Sequence, residues 1–216
     1  MPYVVVLVFL SAILSAVPAV AVTISVSNVS GVSDDLFDVS QGNVVVESSP
    51  AITAASSMFG ATHSLPGDAN NTLFADGAPG GFVHSVLFQL PAAVQLGSIK
   101  IRFSQDGLQT RRGAAGYSLL GLQSLTDAGE VLSQAMFATD YVTAYGDNNI
   151  LVEDTFPAFS GRYFRFNVVQ RSDNFGPRVI ELDGFAAPVP EPSTWAMALA
   201  GLAFAVFSTL RRKCGS

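Results

Sequence analysis

Two apolar segments, one at each end of the chain, limit the part that can fold as a globular domain. Residues 4–16 read VVVLVFLSAILSA and residues 195–210 read WAMALAGLAFAVFSTL. Neither has the periodic polar face of a helix or strand that packs on a soluble core. Without the two ends about 165 residues remain, enough for one domain with a hydrophobic core. We therefore expect a single folded domain over residues 22–187.

The N-terminal segment is typical of a secretory signal peptide over residues 1–21. Its apolar run is shorter than the roughly 20 residues that span a bilayer, and Pro18 follows it. Small residues at Ala19 and Ala21 predict signal-peptidase cleavage before Val22. Met1-Pro2-Tyr3 lacks the usual Lys or Arg, which indicates either an upstream start or a weak signal. A buried core strand or helix is the alternative interpretation.

The C-terminal 29 residues, 188–216, have three parts in order. Pro190, Glu191 and Pro192 form a proline-broken segment that cannot continue a helix. The apolar stretch from Trp195 to Leu210 predicts a transmembrane helix, slightly short for a permanent anchor. Arg211, Arg212 and Lys213 follow it, and such basic residues stay on the cytoplasmic side, so the domain faces outward.

This order resembles the PEP-CTERM sorting signal, in which Pro-Glu-Pro precedes one apolar helix and an arginine-rich end. The resemblance implies processing by an exosortase-type membrane enzyme near Pro190–Pro192. It also implies a membrane-anchored precursor that reaches the cell surface or the exterior, often beside exopolysaccharide. Cys214-Gly215-Ser216 after the basic residues departs from the pattern. An ordinary C-terminal membrane anchor is the alternative.

The charge of the middle segment excludes one class of partner. Val22 to Val189 contains eight Lys/Arg and sixteen Asp/Glu, a net charge of −8. Nucleic-acid binding needs a basic face that neutralises phosphates, so we expect none. The chain has one cysteine, Cys214, which excludes an intrachain disulfide and a cysteine-based metal site.

Alternating apolar and polar residues predict an all-β domain. Ile99, Ile101 and Phe103 alternate with basic residues, and Phe164, Phe166 and Val168 alternate with polar ones. Turn residues such as Asp76-Gly77, Asp106-Gly107 and Asp127-Ala128-Gly129 separate the candidates. Further predicted strands are Thr23–Val29, Val44–Glu47, His84–Leu90, Tyr117–Ser124, Val131–Phe137 and Val179–Phe185. Many short strands with such turns indicate a single antiparallel sandwich or jelly roll.

A second resemblance covers roughly Leu36 to Phe185. Phe74-Ala75-Asp76-Gly77, Phe82-Val83-His84-Ser85 and Val86–Leu90 resemble the opening of a galactose-binding-like, discoidin-type domain. Leu96–Ile101, Gly161–Phe166 and Arg178–Leu182 resemble its later strands, in the same order. The resemblance implies an eight-stranded jelly roll whose end loops often bind sugars.

No catalytic constellation is evident. His63 and His84 are the only histidines, and neither belongs to a metal-binding or nucleophile motif. Neighbouring residues on a strand point to opposite faces, so the pairs Asp34-Asp35 and Glu153-Asp154 do not form carboxylate dyads. In loops such carboxylates are expected to be solvated. We therefore expect a protein that is not an enzyme, with a glycan-active enzyme as the weakest alternative.

The discoidin-type resemblance implies a structural calcium ion, which oxygen ligands suit. Carried onto this sequence, its ligands are Asp76 and Glu181, although Gly80 and Gly81 stand where the family has a threonine. Asp76 could instead only shape its own turn.

A sugar site needs an aromatic platform and planar hydrogen-bonding groups at one end of the sandwich. The candidates by position are Arg111, Arg112, Asn70, Asn71, Tyr145, Asn148 and Asn174. The sequence thus favours an exported protein that binds carbohydrate or associates with exopolysaccharide, with a purely structural envelope protein as the alternative.

Overall fold

A computed structural model describes residues 22–26, 34–49, 52, 54–60, 72–74, 77–104, 113–137 and 150–188. These residues contain eight strands: β1 (Thr23–Val26), β2 (Val44–Ser48), β3 (Thr72–Leu73), β4 (Val83–Ser104), β5 (Ala114–Leu122), β6 (Glu130–Met136), β7 (Ile150–Gln170) and β8 (Arg178–Ala186). Short 3₁₀ helices span Val39–Gln41 and Ser57–Phe59. Every strand pairing among these residues is antiparallel, which confirms the all-β prediction.

The two long strands, β4 and β7, pair with each other along most of their length and organise the fold. Their register shifts twice. Residues Leu90–Ala93 leave the ladder on β4, and residues Phe156–Ala158 leave it on β7. Each excursion contains a proline, Pro91 or Pro157, which has no N–H to donate to a ladder. At these excursions both strands pass from one layer of the fold to the other.

The excursions divide the strands into two layers. The first layer contains β2, the first half of β4, the second half of β7, β5 and β6 in that order. The second layer contains β3, β8, the second half of β4, the first half of β7 and β1. Phe103 of the second layer lies 6.2 Å from Tyr117 of the first, centroid to centroid, so the inner faces pack together.

Aromatic rings fill the space between the layers. Phe88 and Phe164 are fully buried and stack at 5.6 Å. Phe37, which precedes the first 3₁₀ helix, packs against both of them at 5.0 and 5.2 Å. A Cβ on Gly184 would lie 2.8 Å from the Phe37 ring, so only glycine permits this approach. Burial of such rings is the main stabilising term in a chain without disulfides.

Most predicted strands are confirmed with shifted ends, but one division is wrong. The segments His84–Leu90 and Ile99–Phe103 were expected as separate strands, and the structure joins them in β4. The sequence predicts two strands because Pro91 lies between them, and proline ordinarily ends a strand. Here it lies in the excursion, where no ladder hydrogen bond is needed.

The two ends of the sandwich differ. Because β4 and β7 turn back at their excursions, both strands begin and end at the same end of the molecule. We call this end, with Val83, Ser104, Ile150 and Gln170, the loop end. The opposite end, with Leu90–Ala93 and Phe156–Ala158, is the bend end.

The signal peptide, its Ala19 and Ala21, and the tail with Pro190–Pro192 and Arg211–Lys213 lie outside the described residues. Within the described part of the chain, no helix is long and apolar enough to cross a membrane.

Candidate functional site

In the sequence, the predicted sugar-binding residues flank strands whose ends lie at the loop end. Arg111 and Arg112 follow β4, Asn70 and Asn71 precede β3, and Tyr145 and Asn148 precede β7. The strand ends next to these segments meet at the loop end, where Ser104 pairs with Arg178 and Phe103 with Ile150. Asn174, between β7 and β8, is the only one of the seven among the described residues.

Two loops at this end are joined by one backbone–backbone and one backbone–side-chain hydrogen bond. The first, residues 77–82, leads into β4, and the second, residues 171–177, connects β7 to β8. The Asn174 amide donates to the Ala78 carbonyl oxygen at 2.9 Å. The Gly80 amide donates to Oδ1 of Asp173 at 2.7 Å. Asn174 has a φ of 65°, a left-handed conformation that asparagine tolerates better than most residues.

The fully buried side chain of Gln170 ties both loops to the sandwich. Its Nε2 donates to the carbonyl oxygens of Ala78 at 2.6 Å and Ser172 at 2.8 Å. Two carbonyl acceptors fix which end of the amide is nitrogen. Oε1 therefore faces Nε2 of His84 at 2.8 Å as an acceptor.

This arrangement determines the tautomer of His84. Because Gln170 Oε1 can only accept, Nε2 of His84 carries the hydrogen and donates it. His84 is 1% exposed, and its Nδ1 is buried without a hydrogen-bond partner. Burial lowers the pKa of the imidazole, against the opposing effect of the Gln170 hydrogen bond. The burial, neutrality and ring contacts of His84 indicate a structural role.

An exposed aromatic ring packs against the buried imidazole of His84. Phe82 is 42% exposed and packs edge-on against His84, with 4.9 Å between ring centroids. Phe74 holds the other side of the imidazole at 5.3 Å. A partly exposed ring, fixed by buried neighbours and flanked by polar loops, is the arrangement that a sugar ring can stack on.

Asp173 and Asn174 supply exposed polar groups on the neighbouring loop, residues 171–177. Both belong to the loop that is bonded to residues 78 and 80, a few positions before Phe82. Carboxylate and amide groups can bond to neighbouring hydroxyls of one sugar. We name Phe82, Asp173 and Asn174 the loop-end site.

Phe82 and Gln170 were not among the predicted site residues. The exposure of Phe82 could have been predicted from the sequence, because an aromatic residue directly after a Gly-Gly turn and before a buried strand often stays exposed. Gln170 had none, since its partners lie 92 and 86 positions earlier in the chain and only the fold brings them together.

Glu181, one of the two predicted calcium ligands, forms an ion pair in the structure. Its carboxylate bonds to the Arg102 guanidinium at 3.0 Å, and both side chains are more than nine-tenths buried. A calcium ion there would share the Glu181 carboxylate with the fixed positive charge of Arg102. Asp76 lies outside the described residues, and the described parts of the chain contain no group of three metal-ligating side chains.

Two further buried carboxyls lie near this ion pair. Burial, and then the negative charges of Glu181 and Asp35, raise the pKa of Asp183 to about 8. Burial also raises the pKa of Asp35 to about 6, although the amides of Gly184 and Phe37 donate to its Oδ1. The expectation that Asp35 is a solvated loop carboxylate is therefore wrong: it fastens its loop to β8. Its neighbour Asp34 is exposed.

Glu153 and Asp154 point to opposite faces, as predicted. Glu153 forms a half-exposed pair with Lys100 at 2.8 Å. Asp154 faces inward and accepts a hydrogen bond from the Ser133 hydroxyl at 2.5 Å, which in turn bonds to Tyr117. Burial raises the pKa of Asp154. An open cavity of about 200 Å³ lies beside this pair. No histidine is among the described residues that line it, so the arrangement lacks the base of a nucleophilic triad.

Comparison with known proteins bears on the tail and on the fold. Residues 188–213 match the family described as the PEP-CTERM protein-sorting motif. No protein of curated function matches the sequence. The chain thus carries a PEP-CTERM sorting motif.

Solved structures share the fold at low identity. The family 32 carbohydrate-binding module from Streptococcus pneumoniae EndoD matches with a TM-score of 0.51 and 12% identity, over 71% of this chain and 100% of that one. Allantoicase matches with a TM-score of 0.52 and 9% identity, over 71% of this chain and 43% of its own. The lectin domain of lectinolysin complexed with Lewis B antigen has a TM-score of 0.48 and 14% identity, over 72% of this chain and 99% of that one. The carbohydrate-binding module and allantoicase therefore show the fold of this chain, a jelly roll. Because this fold occurs in a binding module and in an enzyme, it does not decide the function.

Proposed function

We propose that this chain, which carries a PEP-CTERM sorting motif at residues 188–213, is an exported, non-catalytic surface or matrix protein that binds carbohydrate at its loop end. The observation that carries the binding proposal is the exposed ring of Phe82. It is fixed by His84 and flanked by the polar loop of Asp173 and Asn174. The shared fold with a carbohydrate-binding module supports it.

Sorting involves both ends of the chain in this proposal. Signal peptidase cleaves after Ala21, the domain crosses the membrane, and the apolar stretch from Trp195 to Leu210 anchors the precursor. The basic residues Arg211–Lys213 stay on the cytoplasmic side. An exosortase-type enzyme then processes the chain near Pro190–Pro192, and the product associates with cell-surface or extracellular polysaccharide.

The intact mass of the protein from its native host, combined with cell fractionation, tests this sorting. A product that begins at Val22 and ends near Pro190 is expected, in the surface or extracellular fraction. A product that still carries Trp195–Ser216 would identify a permanently anchored envelope protein and contradict processing. Deletion of Pro190 onward is expected to give a domain that no longer fractionates with membranes after washing.

Retention of the full-length chain in detergent on immobilised polysaccharides tests the binding. We expect retention on at least one polysaccharide, and loss of it on substitution of Arg111, Arg112 or Tyr145, which flank strands whose ends lie at the loop end. A chain that no polysaccharide retains would favour the alternative, a structural envelope protein without a small ligand.

A structural calcium ion is not required by this proposal. Since Arg102 already pairs with Glu181, we expect the melting temperature to be the same with calcium as with a chelator. A large rise with calcium would show that Asp76 and other residues complete a site that includes Glu181.

A further inference from the structure

The chain leaves the sandwich at the bend end, opposite the loop-end site. After β8 ends at Ala186, the amide of Ala187 donates to the Gln95 carbonyl oxygen at 2.8 Å. A Cβ on Gly97 would lie 2.6 Å from the Cα of Ala187, so glycine is needed for the chain to pass this closely. The last residues before the sorting motif are thus held against the bend of β4.

The surface around this exit is apolar and largely uncharged. The excursions Pro91–Ala93 and Pro157–Ala158 are exposed and contain no charged residue. Val39, 49% exposed, and Leu125, 40% exposed, extend the surface on either side. Val39 lies at the bend end because Gly42, three residues later, is next to Pro91. Leu125 lies there because Gln123, two residues earlier, donates to the Ser160 carbonyl oxygen.

One acidic group lies in the same turn as Leu125. The Asp127 carboxylate accepts a hydrogen bond from the Gln123 amide at 3.1 Å. The amides of Gly129 and Ala128 bond to it as well, and these bonds lower its pKa. The amides of its own turn therefore stabilise the negative charge of Asp127.

The length of the tail restricts where the domain can lie. Seven residues separate Ala187 from Trp195, where the apolar segment begins. Eight steps of at most about 3.5 Å give a reach of about 28 Å. Such a short tether keeps the bend end at a high effective concentration next to the membrane, so even a weak apolar contact persists.

We propose that the bend end docks on the outer surface of the lipid bilayer in the anchored precursor, so that the loop-end site points away from the membrane. This rests on the membrane-anchored precursor of the proposed function. The excursions, Val39 and Leu125 are apolar and can enter the interface. The Arg162 guanidinium, opposite the first excursion and over the Tyr163 ring, can remain at the level of the lipid phosphates. From Leu96 to Ser104, β4 rises about 27 Å away from the bend end, which leaves Phe82 open to polymers outside the cell.

Fluorescence quenching on the full-length chain in phosphatidylcholine vesicles tests the docking. Cys214 is replaced by Ser, and one cysteine at a time is introduced by Ala93→Cys, Ala158→Cys or Pro79→Cys and labelled with an environment-sensitive dye. Pro79, exposed at the loop end, is the matched control. Docking predicts that iodide quenches the two bend-end dyes about threefold less than the control dye, since the interface excludes the anion. Equal quenching at the three positions would overturn it.

Two variants separate docking from simple tethering and from the anchor. Insertion of about twelve Gly/Ser residues between Pro188 and Val189 lengthens the tether. Docking predicts that the bend-end dyes stay protected, and loss of protection would overturn it. Flotation with the vesicles tests the anchor separately. If the chain floats with the vesicles but iodide quenches the bend-end dyes fully, docking is contradicted and the membrane anchor is not. If the chain does not float, both the anchored precursor and docking are contradicted.

Discussion

Nε2 of His84 and Oε1 of Gln170 lie 2.8 Å apart, and the imidazole supports the exposed ring of Phe82. Because the same amide holds the carbonyl oxygens of Ala78 and Ser172, one buried side chain determines the shape of both described loops at this end. The loop-end site is thus supported from inside the sandwich, which reduces the entropy that a ligand must offset on binding.

The first prediction concerns the substitution Gln170→Leu. It leaves Nε2–H of His84 and the Ser172 carbonyl oxygen without this partner and removes one of two donors to the Ala78 carbonyl oxygen. Each buried unsatisfied group costs about 1–3 kcal/mol. We expect the free energy of unfolding to fall by about 3 kcal/mol, measured by chemical denaturation. Gln134→Leu, on an exposed position of β6, is the matched control. Equal effects of the two substitutions would contradict the role of Gln170.

The second prediction concerns the protonation of His84. Burial lowers the pKa of its imidazole below the usual 6.5, so the ring is neutral, with hydrogen on Nε2, at neutral pH. Nitrogen-15 NMR should show the Nε2–H tautomer at pH 7 and a protonation midpoint below 6.5. Since the unfolded chain binds the proton first, stability should fall as pH decreases below 6.5. A ring that titrates at or above 6.5 would rule out this description.

The third prediction concerns Asp35→Asn. The folded-state pKa of about 6 is above the ordinary value of 3.8. The folded protein therefore holds this proton more tightly, and its stability falls as pH rises from about 4 to 6. The steepest slope from one group is about 1.4 kcal/mol per pH unit.

Asparagine keeps an oxygen that can accept from the amides of Phe37 and Gly184, and it has no charge to desolvate. Thermal unfolding of Asp35→Asn should therefore lose this part of the pH dependence, whereas Asp34→Asn, at the exposed neighbouring position, should keep it. An unchanged slope in Asp35→Asn would show that the carboxyl does not titrate in this range.

The fourth prediction concerns the buried pair of Arg102 and Glu181. Either Arg102→Met or Glu181→Leu leaves a buried charge without this partner, at a cost of about 3–5 kcal/mol. The double variant removes both charges and should cost clearly less than the sum of the two. Additive effects in denaturation experiments would show that the two side chains do not stabilise each other.

Local patterns were sufficient to predict the β class and most strands. The alternation of Ile99, Ile101 and Phe103 identified the buried face of β4, and all three are 1% exposed or less. The continuity of β4 through Pro91 was not predictable, because a proline ends a strand in most sequences and only pairing with β7 carries β4 past it.

The candidate site was less accessible to sequence reasoning. Residue types and turn positions placed Asn174 and the other polar candidates on loops between strands. They could not show that Gln170 is buried, because its partners come from a distant part of the chain. They also could not distinguish Asp34 from Asp35, since burial of the second depends on an amide of Gly184, 149 residues away.

The affinity of the full-length chain for a retained polysaccharide, compared between Phe82→Ala and Leu125→Ala, tests the central claim most directly. Both substitutions remove an apolar side chain that is about two-fifths exposed, one at the loop end and one at the bend end. We predict that Phe82→Ala weakens binding about tenfold or more, which corresponds to about 1.4 kcal/mol, and that Leu125→Ala leaves it unchanged. Equal affinities of the two variants and the unaltered chain would contradict a carbohydrate site built on Phe82.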